Sequence, residues 1–292
     1  MTDRIRKILT VVLAAVFVVS TALFIGRGFN AAEAADSYRE AEAIAARPQQ
    51  SPSVEEAVIQ APEEPVSAEP VSEQTATVWV AAPVEEDAHM KKLKDINLDA
   101  LREKSPNVVG WLFVPNTRIN YPIVQGGDNQ HYLNNTWDGR KSTAGAVFME
   151  VTNNPDFTDF RTLVYGHNMA DSSMFGSLHR YSNIGYWEKY PYVYVVTDEG
   201  VFRYEIYSSY KADVESGTYA LNLEEEPYRA AFIKLTKDEA LYETEITPAV
   251  TDRLLTLSTC AGNASVRRVV HARLPMIQVE MKTDSPQEEN LQ

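Results

Sequence analysis

Arg253-Leu-Leu-Thr-Leu-Ser-Thr-Cys260-Ala-Gly-Asn263 is the most informative run in the chain. Its first seven residues, all Leu, Thr, Ser or Arg, predict a strand bounded by a Gly-Asn turn. The strand runs straight into the only cysteine of 292 residues. A nucleophile at a strand end is rigidly held yet opens into a loop that substrate can reach. Backbone N–H groups of the following turn, starting with Ala261, are candidates to cradle an oxyanion. Ser258 shares a strand face with Cys260, and Thr259 lies between them; both are candidates to shape a site. Taken alone, a lone cysteine is more often buried and inert.

Working outward, Thr162-Leu-Val-Tyr-Gly166-His167-Asn168-Met169 repeats the pattern of a strand that ends at glycine. A histidine just past a strand end is suited to general acid/base work near neutral pH, with Asn168 beside it. Val266-Arg267-Arg268-Val269-Val270-His271-Ala272-Arg273 is a third strand, led by two arginines. An arginine there suits oxyanion stabilisation or substrate carbonyl binding. In isolation the first is better read as an ordinary surface-loop histidine, and the second as an exposed edge-strand charge, which is common.

The remaining pattern is one of short β runs: Gly110–Val114, Ile119–Val124, Gly145–Met149, Tyr192–Thr197 and Val201–Tyr210, with Asp198-Glu-Gly200 as a hairpin turn. Thr162–Tyr165, Arg253–Thr259 and Val266–Leu274 make eight. Met90–Lys104 predicts an amphipathic helix ended by Ser105-Pro106, and a helical insertion, Glu224–Lys234 then Lys237–Tyr242, precedes the cysteine strand. Short strands with helices in their connections predict a mainly β fold with helices, an eight-stranded closed or partly closed barrel.

Ile8–Gly26 carries no charge and, as a helix, would span about 28 Å. Arg4, Arg6 and Lys7 precede it, which predicts a single-pass membrane anchor with a cytoplasmic N-terminus and an extracellular remainder; a cleaved signal peptide, suggested by the small residues Ala31, Ala32, Ala34 and Ala35 that follow, is the competing reading. Residues 1–30 are then tip and anchor. Residues 31–87, rich in Glu, Pro, Ala and Ser, predict a disordered spacer, with a short helix available at Tyr38–Ala46. The folded domain is expected over 88–280 and a polar tail over 281–292. Most of the formal charge of -14 sits in the spacer, and the moderately acidic remainder excludes the basic footprint that nucleic acid requires. One cysteine excludes an internal disulfide framework and a thiolate-rich zinc site. The five histidines show no metal-ligand spacing.

Together the Thr-Leu-Ser-Thr-Cys run at 256–260 and the Tyr-Gly-His-Asn run at 165–168 resemble the class B sortases, Gram-positive surface transpeptidases. Gly110-Trp-Leu112, Ile119-Asn-Tyr-Pro-Ile-Val-Gln125, Tyr132-Leu133, Gly145-Ala-Val-Phe-Met149 and Ser173-Met-Phe175 extend the likeness over roughly residues 88–275. The N-terminal helix and the helical insertion are similar to class B. The resemblance implies Cys260 as nucleophile, His167 as acid/base partner and an arginine on the next strand. The family register, laid on Val269-Val270-His271-Ala272, selects Arg267; Arg268, the alternative, then holds a usually apolar position. Ala261, Ser258, Thr259 and Asn168 are implied as oxyanion or substrate-shaping positions, and His271 as structural. The implied reaction takes a secreted protein bearing a C-terminal sorting signal of the Asn-Pro-x-Thr type. It passes the acyl group to a peptidoglycan cross-bridge amine or a pilin lysine, with no metal or organic cofactor. A cysteine protease using the same pair with water, and a non-catalytic envelope scaffold, are the alternatives.

Overall fold

Alternating β-branched and aromatic residues give each strand one face toward a core and one away from it, and such strands bury the inward faces by closing on themselves. The computed structural model describes residues 33–48, 74–260 and 265–283. Its strands, in chain order, are β1 (Gln74–Ala81), β2 (Val108–Phe113), β3 (Asn120–Val124), β4 (Val147–Met149), β5 (Arg161–His167), β6 (Tyr192–Thr197), β7 (Gly200–Asp213), β8 (Arg253–Cys260), β9 (Val266–Leu274) and β10 (Met276–Thr283). The helices are α1 (residues 33–45), α2 (Ala88–Leu93), α3 (Leu98–Arg102), α4 (Ile184–Trp187) and α5 (Glu226–Asp238).

Strands β2 to β9 close into the expected eight-stranded barrel, in the order β2-β3-β4-β5-β8-β9-β7-β6. Leu112, Ile123, Val147, Leu257 and Val270 belong to its buried core. Most neighbours are antiparallel, but β3 pairs with β4, and β5 with β8, in parallel. The second parallel pair requires a long crossover, and that crossover carries β6, β7 and the helical insertion. α5 packs Phe232 and Ile233 against Tyr207 and Leu254 on the outside of the barrel.

Several expected boundaries move for local reasons. Met90–Lys104 is two helices, not one: the Asp87 side chain caps α2, and the Asn97 side chain accepts from the Ala100 N–H at 2.9 Å to start α3. The strand expected from Gly145 begins only at Val147, because Gly145 has φ +59°, outside the β region. The insertion forms one helix, opened by Pro227 in its first turn, rather than two pieces.

The acidic segment 31–87 departs further from its expectation as a disordered spacer. Residues 33–45 are helical and bury Ala34, Tyr38, Ala41 and Ala45, spaced as one helix face, against the barrel core. Residues 74–81 pair antiparallel with β10 in a two-stranded ribbon outside the barrel, and β10 runs past residue 280 into the expected tail. The membrane placement is also corrected. The expected span, Ile8–Gly26, lies outside the described residues, and among the described residues no helix is long and apolar enough to cross a membrane. The N-terminal helix that is described spends its apolar face on the barrel instead. The single-pass, cytoplasm-in arrangement is therefore without support.

Candidate active site

The parallel pairing of β5 with β8 sets the centre of the site. Tyr165 lies opposite Ser258, Gly166 opposite Thr259 and His167 opposite Cys260. Both strands end there, so their last residues sit side by side at one rim of the barrel, with backbones about 4.8 Å apart. Residues separated by 93 positions are thus brought together by register alone.

His167 is half-buried, and its Nε2 lies 2.8 Å from the Leu133 carbonyl oxygen. A carbonyl only accepts, so Nε2 carries a hydrogen and Nδ1 is the nitrogen left to exchange a proton. The Cδ2 edge of the same ring rests on Gly145, where a Cβ would fall 2.9 Å from Cδ2 and 2.8 Å from the Leu133 carbonyl oxygen. The ring is clamped along its Cδ2–Nε2 edge, and its Nδ1 side faces away from the clamp. Gly166 serves the other strand face: a Cβ there would meet the Phe175 ring at 2.8 Å, so glycine lets the segment Phe175–Ser182 close against β5.

Strand alternation separates the two arginines. Ser258 pairs with Val269, and Tyr219 meets both, its hydroxyl 2.9 Å from Ser258 Oγ and its ring packed on the Val269 cluster. Arg267 stands on the Val269 face, two residues before it, and position 260 stands two residues after Ser258 on that same face. Arg268 stands on the opposite face with Val270 and Ala272, which belong to the barrel core. Its Nη1 is buried without a hydrogen-bond partner among the described residues. Burial lowers its pKa, and Tyr242 opposes that in part.

The remaining expected positions divide. Ser258 is buried and bonded to Tyr219, and Thr259 is buried with its Oγ1 accepting from the Arg268 N–H at 3.0 Å. Both brace the strands. Asn168 is exposed and bridges to Met174 through its backbone. Ala261 lies outside the described residues. His271 is fully buried, bonded to Thr256 Oγ1 at 3.0 Å and Tyr210 Oη at 3.2 Å, and stacked on the Tyr210 ring. Burial, aided by Arg161, pushes its pKa down to about 3, so it is neutral at physiological pH. His89 packs on Phe113 and Tyr194, His131 on Tyr132, and His179 bonds the Gly176 carbonyl. Among the described residues no cluster of His, Cys, Asp and Glu is suited to a metal.

Two contributors were not foreseen as such. The Leu133 carbonyl has no side-chain signature, although Tyr132-Leu133 stood out in the sequence. Tyr165, two residues before His167, donates its hydroxyl to Glu150 at 2.8 Å, and burial raises its pKa well above the ordinary tyrosine range.

Residues 112–275 match the family described as Sortase domain. Sortase B of Staphylococcus aureus is 28% identical over 174 residues, 59% of this chain and 71% of that protein. The solved S. aureus sortase B–substrate complex is similar at a TM-score of 0.58 and 26% identity, covering 64% of this chain and 85% of that one. A solved sortase B from B. anthracis is similar at a TM-score of 0.56 and 32% identity, covering 66% and 88%.

Proposed function

This chain belongs to the sortase family and is a sortase-type cysteine transpeptidase, and we propose that Cys260, His167 and Arg267 carry its reaction on a sorting signal of the Asn-Pro-x-Thr type. The observation that carries this reading is the β5–β8 register, which sets His167 directly beside Cys260 at the ends of two parallel strands.

In the first half-reaction Cys260 gives its thiol proton to His167 Nδ1, and the resulting thiolate attacks the carbonyl carbon of the threonine in the signal. The oxyanion that forms faces the Arg267 guanidinium, on the strand face shared with position 260. The carbon–nitrogen bond then breaks, and the leaving amine takes a proton from His167 Nδ1, because Nε2–H is committed to the Leu133 carbonyl. A thioester to Cys260 remains. In the second half-reaction an amine attacks the thioester carbonyl and gives its proton to Nδ1, and the thiolate leaves. The acceptor class is a primary amine, from a peptidoglycan cross-bridge or a pilin lysine.

The sorting-signal substrate is supported by likeness to a sortase solved with its substrate. The test is to incubate the purified chain with quenched Asn-Pro-x-Thr and Leu-Pro-x-Thr peptides, with and without an added amine, alongside Cys260→Ala. Mass spectrometry is expected to find a thioacyl adduct at Cys260 that passes to the amine and is absent in the variant. An adduct resolved by water alone, in the presence of every amine tried, would remove the transfer step. No adduct with either peptide would remove the sorting-signal reading.

A further inference from the structure

The reaction above uses nothing N-terminal to residue 100, yet α1 is docked with unusual care against one segment of the molecule. Trp137 Nε1 donates to the Ser37 carbonyl at 3.0 Å, and Ser37 Oγ donates to Asp138 at 2.8 Å. Glu40 pairs with Arg140 and Lys104. Tyr38, buried between them, meets the Tyr121 ring edge-on at 4.9 Å and donates its hydroxyl to the Gly145 carbonyl at 2.7 Å. Trp137, Asp138, Arg140 and Gly145 all belong to the stretch between β3 and β4 that also contains Leu133.

That stretch is the clamp on His167. Gly145 packs so closely that a Cβ would lie 2.6 Å from the Tyr132 carbonyl oxygen, 2.8 Å from that of Leu133 and 2.9 Å from His167 Cδ2. The Ala146 N–H closes the loop onto the Tyr132 carbonyl at 2.9 Å. A continuous path therefore runs from the Tyr38 hydroxyl through Gly145 and Leu133 to the imidazole. Tyr38 is buried, and burial raises its pKa well above the ordinary tyrosine range, so the hydroxyl is protonated and donates at every working pH.

We propose that Tyr38 is a positioning residue for His167, its hydroxyl bond to Gly145 holding the loop where the Leu133 carbonyl fixes the imidazole as the Nε2–H tautomer. The proposal rests on His167 being the acid/base group. With Nε2–H fixed, the neutral ring presents an unprotonated Nδ1, the form that accepts a proton from the incoming amine. With the loop released, the ring also populates the Nδ1–H tautomer, which accepts nothing at that nitrogen. α1 is then part of the catalytic apparatus without touching substrate.

The test is Tyr38→Phe, which keeps the ring packing and removes one hydroxyl. The expected result is a fall in kcat of about three- to tenfold with KM for the peptide unchanged, the split expected when positioning rather than binding is lost. The second readout is nitrogen-15 NMR of the histidine ring, with the His167 signals identified by their loss in His167→Asn. At a pH where the ring is neutral, the wild type is expected to show the Nε2–H tautomer only, and Tyr38→Phe a mixture. This readout requires no turnover, so a chain inactive on every peptide would remove the transpeptidase substrate reading and leave the positioning one to be decided by NMR. Glu42→Ala breaks a 2.9 Å contact from the same helix to Asn120 and is expected to leave kcat and tautomer unchanged. An unaltered tautomer and kcat in Tyr38→Phe would overturn the proposal. So would equal losses in Tyr38→Phe and Glu42→Ala tracking a common fall in Tm, since α1 would then act through stability alone.

Discussion

His167 and His271 are the same side chain in two surroundings, and the contrast shows which imidazole the fold fits for the acid/base role proposed above. His271 sits mid-strand in β9, sealed under α5, with both ring nitrogens bonded to side-chain hydroxyls and its pKa driven down to about 3. No proton reaches it near neutrality. His167 sits at the last residue of β5, with one nitrogen held by a backbone carbonyl and the other side of the ring outside that clamp. Among the described residues the first histidine is bound at both nitrogens and excluded from water; the second is bound at one and positioned at a strand end. Residue type fixes neither role. Strand position and the number of satisfied nitrogens fix both.

The contrast is broken outright if His167 can be removed at no cost. His167→Ala and Cys260→Ala are each expected to lower kcat/KM by about a thousandfold or more, on the scale of losing acid/base or nucleophilic catalysis. Steady-state cleavage of the quenched peptide checks this. The double variant is expected to lose little more than either single one, because the proposed reaction uses the two residues as a unit. Full multiplicativity would mean that they do not share a step. The same rim separates the two arginines. Arg267→Ala is expected to cost about a hundredfold in kcat, as for removal of one oxyanion donor. Arg268→Leu, which replaces a guanidinium whose Nη1 is buried without a partner among the described residues, is expected to leave kcat within about twofold and to hold or raise Tm. The reverse ranking would put the oxyanion on the other face of β9.

The clamp on His167 is sharpened by Gly145→Ala. The new methyl meets two carbonyl oxygens and the imidazole at under 3 Å, at φ +59°. Strain at such a position costs about 1–3 kcal/mol, and a displaced ring is expected to lower kcat by about ten- to a hundredfold. Measuring Tm and kcat together separates the two. A normal kcat in a destabilised protein would show that the loop can move without disturbing the ring.

Legibility in the sequence followed the range over which each feature is determined. The strand into Cys260 and the strand into Gly166-His167 are local patterns of β-branched residues ended by small ones, and they were readable along the chain. So was the face of Arg267 relative to Val269, which alternation fixes. The contact between positions 167 and 260 was not derivable from either strand, because it depends on a parallel pairing across a long crossover; only the family likeness anticipated it. The docking of α1 was hidden for a different reason. Its buried apolar residues are Ala34, Tyr38, Ala41, Ile44 and Ala45, three of them alanines, and so few bulky residues in an acidic stretch read as spacer. Glu40 contributes to the spacer-like acidity, yet it pairs with Arg140 and Lys104. The Leu133 carbonyl could not have been found at all, since every residue carries one.

The smallest catalytic effect is expected at the other histidine, where the readout is stability. The folded pKa of His271, about 3, lies below its unfolded value of about 6.5. A depressed folded pKa means that the unfolded chain binds a proton the folded chain refuses. The contribution is therefore fully present above about pH 6.5 and is lost as pH falls toward 3. Between pH 7 and pH 5 the loss comes to roughly 2 kcal/mol, at 1.36 kcal/mol per unit below the unfolded pKa. Carboxylates contribute little over that interval because their ordinary values lie below it. Denaturant titrations at pH 7, 6 and 5 are expected to show this fall in the wild type. His271→Gln, which keeps a donor and an acceptor for Thr256 and Tyr210 but binds no proton, is expected to flatten it, with kcat at pH 7 within about twofold of the wild type. An identical slope in both proteins would mean that His271 takes up its proton while folded. The buried pocket would then be open to water, and the distinction between the two histidines would reduce to their distance from Cys260.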